Sequence, residues 1–185
     1  DELAEPEQVQ GDTVKMADVP GRYARCDALI TDRRRVFLCV STADCMPVFL
    51  FDPRKNVIAA IHAGWRGTRR QIVLQTVARL TEEYACVPAD IIAYIGPGAG
   101  VCCYNVGKDV SSQFDGRYVK NTRDIFLDLK YANAEQLIAG GVRPSQIETS
   151  PHCTICDSYL FHSFRRDGGK SGRMMGVIGL LSGTR

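Results

Sequence analysis

Three β-rich runs in close succession constrain this chain more than anything else in it: Val36 to Thr42, Met46 to Phe51 and Asn56 to Ala63. Each is apolar and rich in branched or aromatic side chains, the kind that suit a pleated, half-buried surface. The break Asp52-Pro53-Arg54-Lys55-Asn56 is of hairpin length and made of turn formers, so the second and third runs are expected as antiparallel neighbours. A sheet therefore lies at the centre, and the rest of the chain has to pack on it.

The helical signals come later. Val73, Val77, Leu80 and Tyr84 recur at spacings of four, three and four, with Arg69, Arg70, Arg79, Glu82 and Glu83 among them. That period predicts a helix opened by Gly67 or Thr68 and closed by Pro88. A second helix is expected over Leu127 to Ala139, with Leu127, Tyr131, Ala134 and Ile138 on one face and Gly140-Gly141 as its stop. Asp90 to Ile95 reads as a strand running into Gly96-Pro97-Gly98-Ala99-Gly100, a loop expected to shape a site by close backbone approach. Glu7 to Val14 reads as a short strand and turn, and Tyr159 to Arg166 with Arg173 to Leu181 as two strands flanking a glycine-rich turn. With no internal repeat and no linker, strands and helices belong to a single α+β domain over residues 1–185.

Composition excludes several classes. At 185 residues, 45% hydrophobic and 24% charged, the chain is globular rather than disordered. No apolar run approaches the roughly 18 residues of a membrane span, and the acidic start Asp1-Glu2 is unlike a signal peptide; a soluble, cytoplasmic protein with no membrane partner is expected. Lys and Arg number 23 against 21 Asp and Glu, a balance that gives no field for nucleic acid. The eight cysteines show no even framework in a chain large for a disulfide scaffold, so buried free thiols are expected.

Chemistry gathers at the hairpin. If the two runs pair about the turn at 52–55, Cys45 and His62 fall at the same open end. A thiol beside an imidazole serves two chemistries: a nucleophile with its base, or two ligands of a zinc ion. The first requires an Asn, Asp or Glu to orient the histidine, the second a further ligand and an open position. Asp44 is available for support, although adjacency to Cys45 on a strand would point it to the opposite face. Arg66, four residues after His62, is the first candidate to hold an anion; Arg165, Arg166 and Arg173 are further ones. Trp65 reads equally as a stacking platform or as core. The Cys153-Thr154-Ile155-Cys156 segment shows no second ligand pair at regular spacing, and Cys102-Cys103 read as packing residues, so all four are expected as buried or loop thiols.

Thr42-Ala43-Asp44-Cys45-Met46-Pro47-Val48, His62-Ala63-Gly64-Trp65-Arg66-Gly67, Ile95-Gly96-Pro97, Cys102-Cys103-Tyr104-Asn105-Val106-Gly107 and the run from Ser163 to Met174 resemble the laccase-domain, YfiH-like family, in matching order from about Glu7 to Leu181. The resemblance implies a layered sandwich of mixed β-sheets covered by helices. It implies a zinc ion held by the Cys and His that match Cys45 and His62 and by a histidine whose place is taken here by Gln10, within Gln8-Val9-Gln10-Gly11. A glutamine oxygen is a harder and weaker donor to zinc than imidazole. The family's activity, phosphorolysis of adenosine, inosine, guanosine or methylthioadenosine with deamination of adenosine, makes a purine nucleoside and phosphate the expected partners. Arg66, Arg165 and Arg173 are then the expected substrate contacts. Multicopper oxidation would need more histidine ligands than the three present, so copper enters only as an adventitious substitute. The family's N-terminal segment has no counterpart before Asp1, which implies a fragment or a reduced member. A metal-free Cys-His hydrolase, or a purine binder impaired by Gln10, are the alternative readings.

Overall fold

The computed structural model describes residues 2–181, so the two ends of the expected 1–185 domain lie outside the described residues. The strands and helices are, in chain order, β1 (Leu3–Pro6), β2 (Val14–Met16), β3 (Gly21–Tyr23), β4 (Ala28–Thr31), β5 (Phe37–Thr42), β6 (Met46–Asp52), β7 (Val57–Ala63), α1 (Trp65–Arg69) and α2 (Ile72–Tyr84). There follow β8 (Ile92–Ile95), α3 (Lys108–Ser111), β9 (Val119–Asn121), β10 (Ile125–Leu127), α4 (Leu129–Ala139), β11 (Ile147–Thr149), α5 (Phe164–Asp167) and β12 (Met174–Gly179). Six strands form a mixed sheet in the order β11-β8-β6-β7-β4-β2, four form a second in the order β12-β5-β1-β3, and β9 and β10 pair by themselves.

The hairpin is the spine. β6 and β7 pair antiparallel with Pro47 opposite His62 and Asp52 opposite Val57. Asp52 Oδ1 accepts the backbone N–H groups of Arg54 and Lys55 at 2.8 and 3.0 Å, closing the turn. β7 is buried along its whole length because it has neighbours on both edges and layers on both faces. Period-two alternation divides its side chains. Val57, Ala59, Ile61 and Ala63 join Val48 and Leu50 against Val73, Val77 and Leu80 of α2 and Leu129 and Leu137 of α4. Ile58 and Ala60 join Phe49 and Phe51 against Ala4, Val36, Leu38 and Val40. The result is three layers, sheet on sheet on helices, a single α+β domain as expected.

Five expectations are corrected. The helix after His62 is two helices: α1 ends at Arg69, and Gln71, at φ 62°, turns the chain into α2. α2 stops at Tyr84, well before Pro88, because Ala85 is left-handed and the N–H groups of Ala85 and Cys86 return to the Thr81 and Leu80 carbonyls. α4 buries Leu129, Ala132, Asn133 and Leu137, leaving Tyr131 and Ile138 exposed, while Leu127 closes β10. Glu7 to Thr13 is a loop joining β1 to β2, which Val14 opens, and Tyr159 to Ser163 is a loop leading into α5, which takes Phe164 to Arg166, so β12 pairs with β5 instead. No helix among the described residues is long and apolar enough to cross a membrane.

Candidate active site

His62 is the penultimate residue of β7 and continues the Ile58, Ala60 row toward the four-stranded sheet. It is nearly buried, and its Nδ1 donates to Asp27 Oδ1 at 2.7 Å. Asp27 precedes β4 and is fully buried. Its carboxylate also accepts the backbone N–H groups of Val9, Gln10 and Gly11 at 3.1, 3.0 and 2.7 Å. Burial opposes a charged carboxylate, but the His62 ring and the Gly11 and Val9 amides overcome it and hold Asp27 below its ordinary value. Burial likewise opposes the imidazolium, yet the Asp27 hydrogen bond and the adjacent Cys45 hold His62 up at about 9. With Nδ1 engaged, Nε2 is the ring nitrogen left for Cys45 or a metal.

Cys45 stands where β5 gives way to β6, as the hairpin reading expected. A Cβ built on Gly64 would lie 3.0 Å from Cys45 Sγ and 3.8 Å from His62 Cε1. The thiol and ring therefore border one small space that a glycine keeps open. A soft sulfur, an imidazole nitrogen and a carboxylate behind the imidazole suit a zinc ion. Gln10, in the third expected place, is at φ 57°, and its Oε1 accepts a hydrogen bond from Arg66 Nη1 at 2.6 Å.

Two adjoining clefts open over the pair. One, of about 260 Å³, is lined by Gln10, Cys45, His62 and Arg173; the other, of about 170 Å³, by Gln10, Cys45, Trp65, Arg66, Tyr104 and Arg165. Six of the candidate residues, Gln10, Cys45, His62, Arg66, Arg165 and Arg173, thus meet at one end of the hairpin. The Arg66 guanidinium stacks 4.4 Å from the Trp65 ring, and that of Arg165 lies 4.9 Å from Tyr104. Three cations beside a Cys-His pair can hold an anion against whatever occupies the clefts.

Two supporting roles move. Asp44, at φ 87°, is no partner of His62: its carboxylate accepts Thr154 Oγ1 and the Arg165 N–H, each at 2.7 Å. The carboxylate the histidine requires is Asp27, which sequence reasoning missed; the one available signal was the requirement itself, since nothing local marks Asp27. Arg166 donates to the Thr154, Ile155 and Phe161 carbonyls and to Asp167, so it fastens loops rather than facing the clefts. The glycine loop does approach closely: Ala99 N–H donates to the Asp44 carbonyl at 2.8 Å, and a Cβ at Gly98 would collide with the Met46 side chain.

The cysteines outside the pair also need correction. Cys102, Cys103, Cys153 and Cys156 bring their sulfurs within 4.8 Å of one another, a set able to coordinate a metal ion. The second ligand pair that Cys153 and Cys156 lacked in the sequence is Cys102-Cys103, brought alongside by the fold.

A family profile described as "Multi-copper polyphenol oxidoreductase laccase" matches residues 1–181. A purine nucleoside phosphorylase of Clostridium acetobutylicum is 37% identical over 176 residues, covering 92% of this chain and 74% of the relative. An adenosine deaminase RL5, from an unknown prokaryotic organism, is 36% identical over 156 residues, covering 80% of this chain; the chain spans 59% of that relative. The crystal structure of YlmD from Geobacillus stearothermophilus superposes with a TM-score of 0.93 at 33% identity, covering 98% of this chain and 74% of that one.

Proposed function

The chain belongs to the YfiH-like laccase-domain family, the multi-copper polyphenol oxidoreductase laccases by description, and from that premise we propose that it is a zinc-dependent purine nucleoside phosphorylase that also deaminates adenosine. The observation that carries the reading is the convergence of Cys45 and the Asp27-His62 pair with Arg66, Arg165 and Arg173 on adjoining clefts.

Cys45 and His62 would hold the zinc ion, with Gln10 as third ligand once its oxygen leaves Arg66. Bound there, zinc supplies Lewis acidity and lowers the pKa of water toward neutrality. Asp27 holds the His62 ring by Nδ1 and so aims Nε2 at the space beside Cys45. Arg66 and Arg165, which line one cleft, would hold phosphate, with Arg173, which lines the other, as a third cation. In phosphorolysis a phosphate oxygen bonds to the anomeric carbon as the bond to the base nitrogen breaks, and the base leaves with that electron pair and takes up a proton. Fixed guanidinium groups lower the barrier by holding phosphate in line rather than by binding the nucleoside tightly. In deamination a water oxygen bonds to C6, the bond from C6 to the amino nitrogen breaks, and that nitrogen leaves as ammonia with a proton from the water.

A second reading has its own support: Cys45, His62 and Asp27 form the nucleophile, base and orienting carboxylate of a metal-free hydrolase. A third, a purine binder without turnover, rests on the Gln10-Arg66 hydrogen bond. The deciding experiment is metal content by elemental mass spectrometry on untagged protein, with an adenosine assay run with and without phosphate. Loss of one zinc equivalent per chain in Cys45→Ser, together with phosphate-dependent adenine release, is expected. Turnover that resists chelators and is abolished by iodoacetamide establishes the hydrolase instead. Turnover only after Gln10→His establishes the impaired binder.

A further inference from the structure

Cys102 and Cys103 lie in the loop leaving β8, and Cys153 and Cys156 in the loop between β11 and α5. The fold brings Cys156 Sγ to 3.1 Å from Cys103 Sγ and 3.6 Å from Cys102 Sγ, with all four sulfurs inside 4.8 Å. Metal–sulfur bonds of about 2.3 Å in a tetrahedron set sulfurs about 3.8 Å apart, so the cluster is already near the size of a tetrathiolate site. A disulfide requires about 2.05 Å and only two sulfurs; it explains neither the 3.1 Å separation nor the gathering of four.

The surroundings suit thiolates bound to a cation. Cys153 Sγ accepts the Gly100 N–H at 3.2 Å and faces the N–H groups of Ile155 and Cys156, supporting contacts of the kind that orient ligating groups. Lys130 shares a cleft with Cys102 and Cys153, its Nζ pinned to the Ser150 and His152 carbonyls at 2.6 Å each. Its charge offsets the excess negative charge of four thiolates on a divalent ion. Cys153 is buried, while Cys102 and Cys156 are exposed and leave the ion a way in.

We propose that Cys102, Cys103, Cys153 and Cys156 bind one zinc ion as a structural staple, separate from the Cys45-His62 site. All-sulfur tetrahedral ligation closes the coordination sphere, which leaves no position for substrate. Binding is ligand exchange without redox: each thiol gives up its proton to solvent as its sulfur joins the ion. The staple joins two loops that both touch Asp44, through the Ala99 N–H on its carbonyl and Thr154 Oγ1 on its carboxylate. It therefore fixes the residue directly before Cys45. The inference stands independently of the phosphorylase reading.

The test uses the full reduced chain carrying Cys45→Ser, which removes a ligand of the other site. One zinc per chain should remain, and cobalt(II) in its place should give an intense thiolate-to-cobalt charge-transfer band. Adding Cys156→Ser, at an exposed position, should weaken the ion's affinity by more than the roughly 10- to 100-fold that loss of an outer support costs. Zinc at a thousandfold above its Kd should raise the Tm of the Cys45→Ser chain by about 10 °C. The proposal is overturned if the Cys45→Ser chain binds neither ion, if its cobalt spectrum lacks the thiolate band, or if Cys156→Ser leaves affinity unchanged. A chain that keeps this ion and releases no adenine overturns the phosphorylase reading alone; adenine release by the unsubstituted chain, with no zinc in its Cys45→Ser variant, overturns the staple alone.

Discussion

Asp27 accepts four hydrogen bonds on two oxygens, one from the His62 ring and three from the amides of Val9, Gln10 and Gly11. It therefore orients the His62 ring and shapes the loop that carries Gln10. Asp27→Asn replaces one acceptor with a donor facing donors, and should lower zinc affinity at Cys45 and His62 by about 10- to 100-fold and stability by about 1–3 kcal/mol. Chelator competition and urea denaturation measure the two separately, and an unchanged zinc affinity would remove Asp27 from the metal site. Gln10→His works in the opposite direction. Histidine is among the few residues enriched at positive φ, so the backbone at φ 57° accommodates it. The change adds an imidazole donor and frees Arg66 from its present partner. Zinc affinity should rise on the order of tenfold, about 1.4 kcal/mol, in the same competition assay.

Among the elements, α1 controls how Arg66 meets Gln10. It packs directly on the Gln10-Gly11 loop, where a Cβ at Gly67 would lie 2.8 Å from the Gly11 carbonyl oxygen. Backbone cannot swing aside as a side chain does, so Gly67→Ala must displace the helix or the loop, costing about 1–3 kcal/mol. For a chain of this size that is a fall in Tm of about 2–4 °C per kcal/mol. Gly64→Ala should act differently, pressing on Cys45 Sγ at 3.0 Å and reducing zinc affinity more than stability. Calorimetry and metal titration on both variants test the division, and equal effects on both properties would contradict it. The β6-β7 hairpin was legible in the sequence because its turn and apolar runs are local, and with it came the meeting of Cys45 and His62. The buried face of α4 was not. Leu127, Tyr131, Ala134 and Ile138 satisfy a helical period as well as the true set does, and the buried Asn133 amide is satisfied partly by its own helix, at the Leu129 carbonyl, and partly by Thr68 of α1, which is distant in sequence. Asp27 and the Cys102-Cys103 pair were hidden for the same reason, since their partners are distant in sequence and adjacent only after the layers close.

At the scale of the whole molecule, burial within the layers gives stability a dependence on pH that no single element shows. Cys26, Cys39 and Cys86 are buried in the fold, and burial is the main reason their thiols are pushed up from 9.0 to about 11, 11 and 12. Below pH 9 the thiols are largely protonated folded or unfolded, and their stabilising contribution is present in full. Between about pH 9 and 11 the unfolded chain loses protons that the folded chain keeps, so stability falls as pH rises. Each thiol contributes a slope approaching about 1.4 kcal/mol per pH unit, and the three together about 4. Against a total of about 5–15 kcal/mol for a domain, that is a large fraction of the stability. Above pH 11 to 12 the folded thiols ionise as well, and the slope from this source levels off. Urea denaturation under reducing conditions at pH 8, 9, 10 and 11 should show the three thiols' contribution as a steepening of the fall beyond pH 9, added to the loss below pH 9 that the raised His62 brings as it gives up its proton. Cys26→Ala with Cys39→Ala should lower the whole profile through lost packing while removing about two thirds of the steepening beyond pH 9, because two of the three titrating thiols are gone. A wild-type profile with no steepening up to about pH 10.5 would show that the unfolded chain shields these thiols as well as the layers do.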